Sequence, residues 1–157
     1  MIKLYKFLLI MSGYIKKSKT DSWSTPQDLY AKLNEKYNFD DFDPCPYIQE
    51  YDDNSVDGTK IDWSNRTFVN PPYSKLKSTK KNLGWVEKAH IEAQKGKFIV
   101  MLIPARTDTQ WFHDIILKND YKVEFLKGRL KFGDSKSSAP FSSMLVIMGN
   151  SFTTIAI

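Results

Sequence analysis

The longest unbroken apolar run, Phe98 to Ala105 in KFIVMLIPA, shows no polar alternation and closes on Pro104. A run of this length and kind predicts a strand covered on both faces. RTFVN (Arg66–Asn70) predicts a second strand that runs straight into Pro71. YKVEFLKGRLKF and FSSMLVIMG read as two further strands, antiparallel across the polar stretch GDSKSSAP. FDDFDPCP reads as a short strand ended by a turn at Asp43-Pro44.

Helical spacing alternates with these strands. In STPQDLYAKLNEKY, Leu29, Leu33 and Tyr37 recur at four-residue steps. Thr25 is placed to cap this helix, Pro26 suits its first turn, and Asp28 completes a Thr-x-x-Asp capping box. LGWVEKAHIEAQKG puts Trp85, Ala89 and Ala93 on one face, with Gly96 as the stop. DTQWFHDIILKND predicts a short helix capped by Asp108, with Trp111 and Phe112 in the core.

Strand and helix in alternation predict an α/β domain, a mostly parallel sheet with an antiparallel C-terminal strand and helices on both faces. Ligands of such sheets sit beyond the carboxyl ends of the strands. Asp43 and the Asn70-Pro71-Pro72-Tyr73 stretch both fall at such ends.

Composition narrows the setting. A chain of 157 residues with 41% apolar and 26% charged content is one globular domain with a core of its own. The domain is expected over residues 21–157, with 1–20 as an N-terminal extension whose basic stretch Lys16–Thr20 leads into the first helix. Met11 offers an alternative start. The apolar Leu8–Met11 is interrupted upstream by Lys6 and lacks a small-residue cleavage site, so neither a signal peptide nor a membrane span is expected. The net charge of +5 favours a polyanionic partner. Cys45 stands alone, which rules out an intrachain disulfide and a cysteine-based zinc site and suits a reducing, cytoplasmic compartment. His90 and His113 add little toward a metal site, and none is expected. Monomer and homodimer remain equally compatible.

The Asn-Pro-Pro-Tyr loop suggests a chemistry. An exocyclic amino group on adenine or cytosine is a poor nucleophile, because its lone pair is delocalised into the ring. Two acceptors aimed at its hydrogens draw it toward tetrahedral geometry and direct the lone pair at an electrophile. The Asn70 side-chain oxygen and the Pro71 carbonyl can be those acceptors, with the two prolines fixing the backbone in advance. Tyr73 can stack on the ring face and leave its edge readable. The plainer reading is a strand ended by a rigid turn. Lys75, Lys77, Lys80 and Lys81 follow within seven residues. They form either a solvated face or a mobile basic flap that contacts phosphates. Arg106, after the buried strand, either grips a phosphate or pairs with Asp108.

Seven ordered blocks, DSWSTPQDLYAKL, FDPCP, DGTKIDW, FVNPPYS, LIPARTDTQWFH, GRLKF and APFSSMLVI, resemble phage-type DNA N6-adenine methyltransferases. The resemblance spans Asp21 to Gly149. It implies a Rossmann-like domain that uses S-adenosylmethionine and acts on duplex DNA. Asn70, Pro71, Pro72 and Tyr73 would hold a flipped-out adenine. Trp23, Thr25, Pro26, Asp43, Pro44, Cys45 and Asp57 would hold the methyl donor. Lys75, Lys77, Lys80, Lys81 and Arg106 would meet DNA. Phage or host bacterial cytoplasm and a link to restriction-modification come with the same resemblance. The chain departs from many methyltransferases in having no glycine between Asp43 and Gly58, so the donor site is expected to be shaped differently. Alternatives remain open: an amino group of an RNA base or a protein glutamine as acceptor, a decayed fold that only binds DNA, or Cys45 as a nucleophile.

Overall fold

The computed structural model describes residues 23–46, 56–133 and 135–150. The predicted extension therefore lies outside the described residues. The apolar run forms β2 (Phe98–Pro104), every residue of which is buried. It lies between β1 (Arg66–Val69) and β4 (Ser143–Met148), and β3 (Lys122–Phe125) completes the order β1-β2-β4-β3. The β1–β2 pairing is parallel, with Val69 opposite Met101. β4 runs antiparallel to both β2 and β3.

Among the described residues, the sheet is therefore mixed and not mostly parallel. The chain returns from β3 through a hairpin-like connection and inserts β4 between β3 and β2, so two of the three pairings become antiparallel.

Successive residues of a strand point to opposite faces, and the core divides accordingly. Val69, Ile99, Met101, Ile103, Met144, Val146 and Met148 face one layer, which holds α2 (Trp85–Gln94) and a π-helical segment, Phe112–Leu117. Phe68, Phe98, Val100, Leu102, Leu145 and Ile147 face the other, with Leu33 and Tyr37 of α1 (Gln27–Tyr37). Helices on both faces agree with the sequence pattern. Each fully buried side chain of this kind is worth about 1.5–3 kcal/mol.

Several local expectations need correction. The predicted strand at FDDFDPCP does not form: Asp40 N–H donates to the Arg66 carbonyl at 2.8 Å, while the Asp40 carboxylate takes the Arg66 N–H at 2.9 Å. A side chain that captures the backbone donor in this way competes with a ladder. α1 begins after Pro26 with no side-chain cap, so the Thr25–Asp28 capping box is absent. Asp108 does not cap the next helical segment either, since Phe112 and His113 N–H both reach the Thr109 carbonyl. Trp111 and Phe112 are buried as expected. The third predicted strand ends at Phe125, shortly before Gly128 takes a φ of +76°.

At the amino end of β1 and β2 lies a buried ion cluster. Glu92 is fully buried and accepts from Lys88 at 2.5 Å, Lys97 at 2.6 Å and Lys95 at 2.9 Å, and from the Trp63 N–H at 3.2 Å. Burial alone would raise its carboxyl, but the three lysines outweigh that and hold it well below the usual range. The cluster joins α2 to the segment entering β1.

Candidate active site

β1 delivers Asn70 to the carboxyl end of the sheet. Its side-chain Nδ2 donates to the Trp23 carbonyl and to Thr25 Oγ1 at 3.0 Å. A backbone carbonyl only accepts, so the nitrogen end of the amide must face Trp23. The oxygen end is thereby turned into the loop, where the Tyr73 hydroxyl donates to Oδ1 at 2.9 Å. A second lone pair remains on that oxygen. Thr25 is buried and spends its hydroxyl on Asn70 instead of on the helix cap.

The two prolines that follow are both buried but differ in use. The Pro72 carbonyl accepts the Lys75 N–H at 3.0 Å and closes a 3-10 turn over Tyr73–Lys75. The Asn70 oxygen keeps a lone pair, and the Pro71 carbonyl has no donor among the described residues.

Tyr73 is framed by aromatic rings that the sequence reading did not identify. Phe141 meets it edge-on at 5.5 Å and Phe132 at 6.2 Å, and Trp23 packs on both of these at 5.6 and 5.3 Å. Phe132 and Phe141 come from the long connection between β3 and β4. Their only sequence signal is an aromatic within each of the last two family-like blocks, and no spacing rule ties either to residue 73.

A cavity of about 400 Å³ lies beside Pro72, within the size range of small-molecule sites. Pro44, Cys45, Asp57 and Gly58 line it together with Lys75, Lys77 and Trp85. Residues expected to hold the donor and residues expected to meet DNA therefore share one wall. Trp23, Thr25 and Pro26 are not among the lining residues: the first two meet Asn70, and Pro26 leads into α1. Gly58 replaces the absent glycine-rich loop in one respect. A Cβ there would lie 1.9 Å from the Pro44 carbonyl oxygen and 2.7 Å from the Trp85 ring, so only glycine lets these two segments close. The Trp63 indole N–H holds the Gly58 carbonyl at 2.8 Å from behind.

Two acids shape this region. Asp57 accepts from the Thr59 N–H at 3.0 Å and hydroxyl at 2.7 Å. Partial burial opposes its ionisation, but Thr59 and Lys60 outweigh that and hold it below the usual range. Asp43 accepts the Cys45 N–H at 2.8 Å. The residue is partly exposed, yet its carboxyl is enclosed, and lost hydration pushes it up to about 6 against the opposing pull of the Cys45 bond. Burial, with Asp43 beside it, pushes the Cys45 thiol up to about 12. A thiol this reluctant to ionise is no nucleophile at neutral pH.

The lysines after Tyr73 belong to a fastened turn and not to a free flap. Leu76 accepts the Val86 N–H at 3.3 Å, Ser78 accepts the Gly84 N–H at 2.8 Å and binds the Glu87 carboxylate, and Thr79 N–H reaches Asn82 at 2.8 Å. A Cβ on Gly84 would lie 2.3–2.5 Å from backbone atoms of residues 76–78. Lys80 and Lys81 remain exposed beyond the cavity wall. Arg106 is exposed past the end of β2 and makes no ion pair with Asp108.

Among the described residues, no group of three or more His, Cys, Asp or Glu is placed to hold a metal ion, and no helix is long and apolar enough to cross a membrane. A family model described as DNA N-6-adenine-methyltransferase (Dam) matches residues 12–154, most of the chain. Neither curated proteins nor solved structures return a match.

Proposed function

The chain belongs to the DNA N-6-adenine-methyltransferase family, and on that premise we propose that it methylates the N6 amino group of adenine in duplex DNA, with S-adenosylmethionine as donor and the target base turned out of the helix. The catalytic domain in this reading is residues 21–157, with 1–20 as an extension. The observation that carries the reading is the orientation of Asn70. Trp23 and Thr25 take both amide hydrogens and turn Oδ1 into the loop, next in sequence to a Pro71 carbonyl to which no described residue donates. Two acceptors on one rigid loop suit an amino group with two hydrogens to give, which neither a hydroxyl nor a ring carbon has.

In this mechanism Asn70 Oδ1 and the Pro71 carbonyl each accept one hydrogen of the adenine amino group. They draw the nitrogen lone pair out of conjugation and toward the cavity that Pro72 borders. Such preorganised contacts are worth about a hundredfold or more in rate. Tyr73 covers the ring face, supported by Phe132 and Phe141. After transfer the extra proton on nitrogen leaves to water or through Asn70, and no covalent enzyme intermediate is needed. The base must leave the stack because its amino group cannot otherwise reach this loop.

The cavity residues fit the methyl donor. Trp85, Leu83 and Val56 give an apolar wall suited to a purine, Asp57 an acceptor, and Lys75 and Lys77 cations suited to a carboxylate. When bound, the donor supplies an electrophilic methyl group on a sulfonium. Asp43, Pro44 and Cys45 form the turn against which Gly58 closes.

The test is transfer of labelled methyl from S-adenosylmethionine to unmethylated duplex DNA, followed by nucleoside digestion, with RNA and a Gly-Gly-Gln peptide as competitors. Label in N6-methyladenine that falls at least about a hundredfold in Asn70→Ala, with donor affinity little changed, is expected. Preferential labelling of RNA or peptide overturns the acceptor. No label together with no donor binding leaves a fold that only binds DNA.

A further inference from the structure

The positive charge of this chain is concentrated in two places. Lys75, Lys77, Lys80 and Lys81 occur without an intervening acid, and residues 127–136 add Lys127, Arg129, Lys131 and Lys136 against one acid, Asp134. Removing these eight cations and one acid from the 23 and 18 of the whole chain leaves fifteen cations facing seventeen carboxylates. The entire excess of +5 thus resides in the two segments. The first continues directly from Tyr73. The second belongs to the β3–β4 connection and reaches Tyr73 by packing.

That packing sorts the second segment into two sides. Leu126 and Leu130 are partly buried and Phe132 is buried, all within the core layer of α1. Lys127, Arg129 and Lys131, between and beside them, are exposed. The Gly133 N–H donates to the Ser24 carbonyl at 2.9 Å, and the Ala139 N–H to the Leu130 carbonyl at 2.8 Å. The inner side is therefore fastened to the ring cluster that supports the base-holding loop, while the cations project outward. Among the described residues, none of these three lies within ion-pair distance of a carboxylate, whereas Lys36, Lys60, Lys88, Lys95, Lys97 and Lys122 all do. Residues 127 and 128 form a bend, with Gly128 at a φ of +76°, so the three cations are spread along a turning segment of the connection. Exposed cations with no carboxylate partner, on a segment packed through Phe132 beside Tyr73, suit the repeated charge of a nucleic-acid backbone.

We propose that Lys127, Arg129 and Lys131 form a second DNA-contacting arm, which meets backbone phosphates flanking the target adenine while the Lys75–Lys81 turn meets others. The proposal rests on the adenine-methylation reading above. It gives the fold a two-armed grip on the strand whose base is held at Asn70.

The test compares the wild type with Lys127→Gln/Arg129→Gln/Lys131→Gln and with Lys32→Gln/Lys118→Gln, which removes two exposed lysines elsewhere. Duplex DNA affinity is measured between about 50 and 200 mM salt, where phosphate contacts dominate the salt dependence. The triple variant is expected to flatten the slope of log affinity against log salt by about 2–3, and Arg129→Gln alone by about 1. It is also expected to raise KM for DNA while kcat at saturating DNA stays within about twofold, since these side chains act in binding and not on the reacting atoms. Arg129→Lys should keep the slope. An unchanged slope in a triple variant of unaltered melting temperature, with an active wild type, overturns the arm alone. A loss of kcat with an intact slope also overturns it, because the segment then acts through the ring cluster. A wild type that neither binds nor methylates duplex DNA overturns both readings together.

Discussion

The two ends of the β1–β2 pair treat charge in opposite ways. At the amino end Glu92 is fully buried yet held by three lysines, two of which also reach Asp62. At the carboxyl end Asp43 is enclosed with only the Cys45 N–H on its carboxylate, and Lys75, Lys77, Lys80, Lys81 and Arg106 make no ion pair among the described residues. The first arrangement is complete by itself and serves the fold. The second leaves its cations to solvent and encloses one carboxyl, Asp43, whose ionisation burial opposes. The difference sets the two ends apart without reference to any motif, and the proposed site lies at the second.

Breaking the complete end should have the largest effect. Glu92→Gln leaves Lys88 buried without a counter-charge, while Lys97 keeps only the exposed Asp62, and should destabilise the fold by about 3–5 kcal/mol. Chemical denaturation measures this, and methyl transfer per folded molecule should be unchanged. A loss below about 1 kcal/mol would show the cluster to be dispensable.

The carboxyl end should show the reverse behaviour with pH. The Asp43 carboxyl sits at about 6, above its unfolded value, so the folded state binds the extra proton between the two. Its stability contribution is full below about pH 4 and is lost as pH rises through about 6, up to about 3 kcal/mol. Asp43→Asn keeps an acceptor for the Cys45 N–H and should abolish this dependence. Unfolding curves at pH 4 and 7.5 for both proteins decide it.

Smaller effects sharpen the site itself. Tyr73→Ala should weaken handling of the target base by about 1–3 kcal/mol, while Tyr73→Phe keeps the ring and restores most of it. Steady-state KM for an adenine-containing duplex separates the two. Thr25→Val removes one of the two anchors of the Asn70 amide. A lost neutral hydrogen bond is worth about 0.5–1.5 kcal/mol, so kcat should fall by about tenfold at most with donor affinity retained. A Thr25→Ser variant should stay near wild type, because the hydroxyl remains.

Much of this was legible in the residues, and the parts that were not share a cause. The run Phe98–Ile103 read as a strand buried on both faces, and the four-residue steps at Leu29, Leu33 and Tyr37 as one face of a helix, and both formed, because periodicity is a local property. Asn70-Pro71-Pro72-Tyr73 stood out for the same reason: the pattern lies in four consecutive residues. Thr25 misled the helix-cap reading because its hydroxyl had a better use 45 positions away, at Asn70. Local rules break at a site when a distant partner competes for the same atom. FDDFDPCP misled the strand reading in the same way, through Asp40 and Arg66.

From the sequence alone came the types of the main helices and strands, the turn that ends β1, the lone thiol, and a basic excess confined to two short stretches. Only the tertiary structure decided that β4 lies between β2 and β3, that Gly58 closes on Pro44, that Lys75 and Lys77 border a cavity, and that Phe132 and Phe141 stand beside Tyr73. The physical reason is one of range. Backbone preference and side-chain periodicity act over a few residues and are written in the order of the chain. Partner choice for a hydroxyl, a ring or a buried charge is settled by competition among all groups that folding brings within a few ångströms.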